Sequence, residues 1–392
     1  MRRRRFRVAA QCVSLLALYA PLAQPQRAVQ PRQRVDSPMA TDERLEAHGW
    51  WPTKGSTTRQ DFVGTGECAR CHAKRTVSQL TTPMARASTL AAASDLLRES
   101  GNVSLQLGPY AYTISQTAGV SAYSVTDGMS SISEPLVWAF GLGNKGQTYL
   151  YQRNGLYYES RLSFYKGIRG LDLTTGQGTQ TPANLEDALG RLIDPDTLRR
   201  CFGCHTTAAT TAAGFDPSHL MPGVTCEACH GPGAKHVDLM DEEKTEQGRL
   251  AIFNPKRLNP VALVDFCGAC HRTLNDVYEM GATGVATVRF QPYRLENSRC
   301  WGDGDARITC ISCHDPHLPL VHDADAYDEK CLACHLEAPA KKTSRSHPGK
   351  ACLVGKKDCV TCHMPRVNLP NMHAPFTDHR IRIARPGAPY PD

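Results

Sequence analysis

Fourteen of the seventeen cysteines fall into seven copies of one pentapeptide, Cys-x-x-Cys-His. They are Cys68, Cys71, His72; Cys201, Cys204, His205; Cys226, Cys229, His230; Cys267, Cys270, His271; Cys310, Cys313, His314; Cys331, Cys334, His335; and Cys359, Cys362, His363. A random chain of this cysteine and histidine content would show about 0.03 such motifs. Two thiols at this spacing reach the two vinyl groups along one edge of a porphyrin. The histidine that follows is carried beneath the ring, where its imidazole binds iron. Zinc also uses Cys-x-x-Cys pairs, but takes them two at a time and needs no histidine after each. Iron–sulfur clusters need four thiolates each. Seven covalently bound haem c groups are therefore expected, with His72, His205, His230, His271, His314, His335 and His363 as proximal ligands.

Eight histidines lie outside the motifs: His48, His219, His236, His317, His322, His347, His373 and His379. That is enough to close the second face of each iron. Bis-histidine ligation keeps iron low-spin and suits electron transfer over substrate binding. His317 follows His314 by three residues, a reach of only about 10 Å, so it should cap a neighbouring haem. The same holds less strictly for His236, which follows His230. Surface histidines are the alternative for each, above all for His48 and His322.

Two functions follow. The first is a carrier that passes electrons between redox donor and acceptor proteins. The second is a multihaem oxidoreductase that acts on a small nitrogen or sulfur compound at one five-coordinate haem. For the second, Asp378 and His379 are the nearest thing to an acid/base pair, with Tyr165 and Arg161 as polar helpers. Asp378 could instead orient a ligating imidazole. The spare histidines favour the carrier.

Cys12, Cys300 and Cys352 remain. Cys12 lies in the N-terminal apolar segment. Cys300 and Cys352 lie in the haem-rich part, and a disulfide between them is one expectation, two separate thiols the other.

The elements that must position these groups are uneven. One motif is near the N-terminus and six are packed between Cys201 and His363. Segments that short cannot bury an ordinary apolar core, so the porphyrins themselves should be the core. Leu80–Ser100 reads as a helix from its Ala, Leu and Arg content, with Pro83 in a first turn. From Val103 to Tyr158, Tyr110, Tyr112, Ile114, Tyr123 and Val125 alternate with small or polar residues, and Asn154-Gly155 signals a hairpin. The aromatics there should form that unit's own core. Asn184–Leu192 reads as a helix, interrupted at Pro195 and resumed toward Cys201. Asp241–Arg249 is charged on all sides and reads as a solvated face. The expected fold is mainly α with little regular structure, packed around haems, with a small antiparallel β insert between the first haem and the other six. The expected organisation is a signal peptide over 1–25, a linker over 26–62, a first haem module over 63–100, the β-rich insert over 101–183, a six-haem domain over 184–383 and a disordered tail over 384–392.

A net charge of +7 over 392 residues points to no nucleic-acid partner. The clustered basic residues are Arg2, Arg3, Arg4, Arg5 and Arg7, just before an apolar run from Val8 to about Ala23. That is the pattern of a secretory signal, too short to span a bilayer comfortably. A periplasmic or otherwise extracytoplasmic location is expected, with membrane association only through an uncleaved signal.

Several motifs together resemble a known family. They are Gly223-Val224-Thr225 before Cys226, Cys-His-Gly-Pro-Gly followed by His236, Cys-His-Asp-Pro-His over Cys313–His317, Cys-His-Met-Pro over Cys362–Pro365, and Phe376-Thr-Asp-His-Arg-Ile381. With Cys68-x-x-Cys-His and Met84 downstream, they look like the multihaem cytochromes c related to ammonia-oxidiser tetrahaem cytochromes and pentahaem nitrite reductases. The resemblance covers about Val63 to Ile383. It implies a mainly helical fold with closely packed haems, and ligand roles for His236, His317, His347 and His379. The chain has no Cys-x-x-Cys-Lys, the catalytic signature of the nitrite reductases, and no helical repeat array after Ile383. The distal candidates are therefore His236, His317, His347, His373 and His379.

Overall fold

Tyr110, Tyr112 and Ile114 turn to one face of a strand, and Ser121, Tyr123 and Val125 to the same face of the next. This two-residue alternation builds the largest apolar core in the protein. The structure, a computed structural model, describes residues 59–117, 119–211, 214–216, 220–302, 304–335 and 352–385. The signal segment, most of the expected linker, Cys12, His48, His219, His347 and the tail beyond Arg385 lie outside the described residues.

Eight antiparallel strands form one sheet. They are β1 (Ser88–Leu90), β2 (Val103–Leu107), β3 (Tyr110–Thr117), β4 (Val120–Thr126), β5 (Ser131–Phe140), β6 (Thr148–Arg153) and β7 (Leu156–Ser160), with Gly190–Leu192 on the outer edge of β7. The first half of β5 pairs with β4, and its second half with both β6 and β1. A register shift between Leu136 and Trp138 marks where the partners change. Asn154 and Gly155 both adopt positive φ and close the β6–β7 hairpin, as a two-residue turn requires. Tyr110, Tyr112, Tyr123, Tyr149 and Tyr151 are buried in the core with Leu162, Leu171 and Leu189.

This sheet corrects the expected fold class. The chain is not mainly α with a small β insert: the sheet runs from Ser88 to Leu192 and holds the principal core. Ser88–Leu90 and Gly190–Leu192 carry no strand signal of their own. They become strands because β5 and β7 offer unpaired backbone groups along their length, and those groups must be satisfied. Helix propensity in the Leu80–Ser100 stretch is overridden in the same way. The helix there ends at Leu80, and helical structure of the α type returns only at Asp95–Ser100, capped by Ser94. The Asn184–Leu192 stretch is a short helix, Leu185–Leu189, that passes directly into the edge strand.

Beyond the sheet the chain is a series of short helices joined by loops. Pro195 does not interrupt a helix but opens one, Pro195–His205, with Asp194 as its cap. The apolar clusters here are small, such as Val264, Leu295 and Trp301. Trp138 and Phe140 from β5 pack edge-on against Phe202 at 5.1 and 5.2 Å, fastening the sheet to the helix of the second motif. Among the described residues no helix is long and apolar enough to cross a membrane.

Candidate haem-iron centres

Each Cys-x-x-Cys pair lies on one helical turn, so its two sulfurs share a face. The helices are Thr65–Leu80, Pro195–His205, Cys226–His230, Pro260–His271, Cys310–Cys313, Asp328–His335 and Cys359–His363. Five end on the motif histidine, and Cys310–Cys313 stops one residue before it. In the longest, Thr65–Leu80, the helix kinks at His72 itself, where φ is −109° and ψ 34°.

Three motif histidines face a histidine from elsewhere. His72 and His236 lie with ring centroids 6.4 Å apart and planes 19° from parallel. His230 and His317 are 6.1 Å apart at 15°, and His314 and His379 are 6.3 Å apart at 45°. Two imidazoles on opposite sides of one metal, each with a nitrogen–metal bond of about 2.0–2.1 Å, have centroids about 6.3 Å apart. The spacing of the three pairs is one at which both imidazoles of a pair could hold the same metal. The free ring nitrogens fit as well. Nδ1 of His205, His230, His236, His363 and His379 lies 2.8–3.1 Å from the carbonyls of Ala87, Phe253, Gly248, Arg382 and Thr377. Nδ1 of His317 lies 3.1 Å from Asp315, which Arg75 holds in turn. Such partners fix the ring and leave Nε2 for a metal. Burial pushes His205, His230 and His314 below the ordinary histidine value and His379 down to about 4, so the rings are neutral, the form a metal needs. Among the described residues no group of three or more His, Cys, Asp or Glu is placed to hold a metal ion by itself.

The motifs also meet one another. Cys68 lies beside Cys226, Cys267 beside Cys310, and Cys331 beside Cys359. Cys229 is an electrostatic neighbour of Cys267, and Cys313 of Cys331. The Cys204 thiol points to the Ala269 carbonyl at 3.8 Å, and His205 neighbours Cys270 and His271. In space the attachment points thus run first, third, fourth, fifth, sixth, seventh, with the second beside the fourth.

Two carboxylates that sequence reasoning missed or misread hold this array. Glu227, inside the third motif, is 2 % exposed. It accepts the amides of Val63, Gly64 and Gly233 at 2.8–2.9 Å, and so caps the stretch of backbone that leads into the helix of the first motif. No sequence signal marks it, because the two residues between the cysteines are free to vary in the attachment chemistry. Asp378 is fully buried against Arg294, which binds both its oxygens at 2.8 and 2.9 Å. Burial alone would raise its pKa, but the Arg294 fork, the Arg380 amide and the Arg382 guanidinium hold it below the ordinary carboxylate value.

The remaining expected residues are scattered. Asp378 does not hydrogen-bond the His379 ring, whose Nδ1 faces Thr377. Tyr165 donates to the Leu173 carbonyl at 2.8 Å, and Arg161 to those of Gly178 and Gln180, all sheet-side structure. His373 has its Nε2 2.6 Å from Asp172 and its ring edge-on to Tyr165 at 4.8 Å. His322 is exposed. Cys300 and Cys352 are both free thiols, the first half-buried near Cys331 and Cys334, the second exposed beside the amides of Val354 and Gly355.

Residues 172–231 match the family described as cytochrome c554 and c-prime. Over 201 residues, 47% of this chain, the sequence is 25% identical to the multiheme cytochrome MtrA of Shewanella baltica (strain OS185). The match spans 52% of that protein, so the chain covers about half the length of this curated relative. The crystal structure of the outer cell wall cytochrome OcwA is similar at a TM-score of 0.47 and 15% identity, over 82% of this chain and 80% of that one.

Proposed function

We propose that this chain, a multihaem c-type cytochrome by its attachment motifs and its family match, is an exported electron carrier that holds seven haems. The observation that carries the reading is the set of three histidine pairs at 6.1–6.4 Å, each joining a motif histidine to one from another segment. When bound, the iron porphyrin supplies reversible one-electron exchange.

The residues of the chain do the rest. The cysteine pairs fix each macrocycle by its edge, and the motif histidines approach from the helix ends. His236, His317 and His379 would hold three of these groups from other segments of the chain and would exclude a small substrate there. Carbonyls and Asp315 set the rings, and burial favours the neutral form of His205, His230, His314 and His379. Cross-capping ties the motifs together, since each paired histidine comes from a segment beyond a different motif. The contacts between cysteines of successive motifs bring attachment edges side by side, which suits transfer along a row. The basic N-terminus followed by a short apolar run favours export, and redox donor and acceptor proteins would meet the two ends of that row.

The test is to mature the full chain in a host that attaches haem c and to weigh it intact. Seven added macrocycles, a low-spin spectrum and reversible reduction are expected. Fewer than three bound macrocycles, or a protein that stays colourless, would end the proposal.

A further inference from the structure

His379 sits on a segment with no regular structure to aim it. The strand Pro375–Thr377 pairs with Arg366–Asn368 and then stops, and residues 378–385 form neither helix nor strand. We propose that Arg294 is the positioning residue that aims His379 at His314, acting through Asp378 without touching either ring. The inference rests on the reading of His314 and His379 as two ligands of one iron.

The arrangement has three parts. First, the Arg294 guanidinium is gripped on two sides. Its Nε and one terminal nitrogen bind the two oxygens of Asp378, and the other terminal nitrogen meets Thr287 Oγ1 at 3.2 Å. Both Arg294 and Asp378 are fully buried, so the fork has no water to exchange with. A planar fork on both oxygens fixes the carboxylate in rotation as well as in place, which a lysine cannot do. Second, Asp378 passes that orientation to the backbone. It accepts the Arg380 amide at 3.0 Å and the Arg382 guanidinium, which closes a tight turn around His379. Third, Ser298, one turn along from Arg294, locks the same turn. Its hydroxyl donates to the His379 carbonyl at 3.2 Å and accepts the Ile381 amide at 2.8 Å. The Arg382 carbonyl then meets Nδ1 of His363 at 2.9 Å, so the same segment also sets the ring of the seventh motif. Two centres thus depend on one buried guanidinium.

Arg294→Met would leave the buried carboxylate with Arg382 as its one guanidinium partner and threaten the fold, so two milder variants carry the test. Arg294→Lys keeps the charge and loses the fork. Ser298→Ala loses the two bonds to the turn. Both are prepared as holoprotein beside the wild type. The covalent haem count is taken by intact mass, the spin state by electron paramagnetic resonance, and the midpoint potentials by redox titration. In Arg294→Lys the haem count should equal that of the wild type while one iron turns high-spin, and added imidazole should restore the low-spin signal. Ser298→Ala should show a smaller high-spin fraction at the same centre. If both variants keep the wild-type low-spin spectrum and potentials, the positioning role is wrong. A wild type whose His314 centre is not low-spin, or that binds no haem, would instead remove the underlying reading and this proposal with it.

Discussion

The His317 ring centroid lies 6.1 Å from that of His230, with the two planes 15° from parallel, although His317 follows the fifth motif and His230 ends the third. The pair joins two segments that share no secondary structure, and the Arg75–Asp315 bridge adds the helix of the first motif to the same junction. His317→Leu should leave every thioether in place and turn one low-spin centre high-spin, read by electron paramagnetic resonance. Arg75→Ala should matter far less. Both partners of that bridge are exposed, and such pairs contribute about 0–1 kcal/mol. A His317→Leu protein with the wild-type spectrum would show that some other group faces His230.

Glu227 binds three backbone amides with two oxygens, and it follows Cys226 directly in the third motif. Glu227→Gln removes the charge and one acceptor oxygen while keeping the shape. Hydrogen bonds to a charged group contribute about 1.5–3 kcal/mol each. Loss of thermal stability by about 2–3 kcal/mol is expected in the holoprotein, measured by denaturant unfolding. No change beyond the error of the midpoint would mean that the helix of the first motif does not need this cap.

Gly223 precedes the third motif with φ at 76°, and its neighbours leave no space for a side chain. A Cβ there would come within 1.9 Å of the Ala85 carbonyl oxygen, while the backbone of Gly223 is held by Ser88 and Thr207. Gly223→Ala combines left-handed strain with a clash against main chain, and should destabilise the fold by more than about 1 kcal/mol. Loss of the third haem during maturation is the expected visible sign. A Gly223→Ala protein of wild-type yield and melting temperature would contradict the geometry.

Burial sets the acid limit of the His314–His379 centre. His379 ordinarily titrates at 6.5, but in the fold it is held down to about 4. The unfolded chain therefore takes up a proton here at a higher pH than the folded one. Stability from this site is complete above pH 6.5 and falls as the pH drops toward 4. Asp378 is also held low, so its contribution survives that window and is lost only below its ordinary value of 3.8. An acid titration of the unfolding midpoint of the haem-free chain should thus show two steps. His379→Leu should abolish the upper one and leave the lower. A stability that is flat from pH 7 to 4 would refute the assignment.

Much of the fold was hidden from the sequence for a reason visible in particular residues. Tyr112 and Tyr123 announced their strands, because alternation is a local pattern that one segment carries alone. Ser88–Leu90 and Gly190–Leu192 did not, because only the open backbone of β5 and β7 makes them strands. Ala-rich sequence after Leu80 favours helix in isolation, and pairing across the sheet outweighs that preference. At the site, His236 and His317 stood out through their closeness to a motif and the short reach of the chain. Arg294 gave no sign at all, since nothing near it in sequence hints at a buried carboxylate.

By itself the sequence determined the covalent chemistry, since two thiols and an imidazole within five residues contain everything that haem attachment needs. Tertiary structure alone decided which histidine faces which, how the seven attachment points line up, and that Asp378 answers to Arg294. Those are contacts between residues far apart along the chain. Their geometry exists only once backbone pairing and burial have brought distant segments within hydrogen-bonding distance.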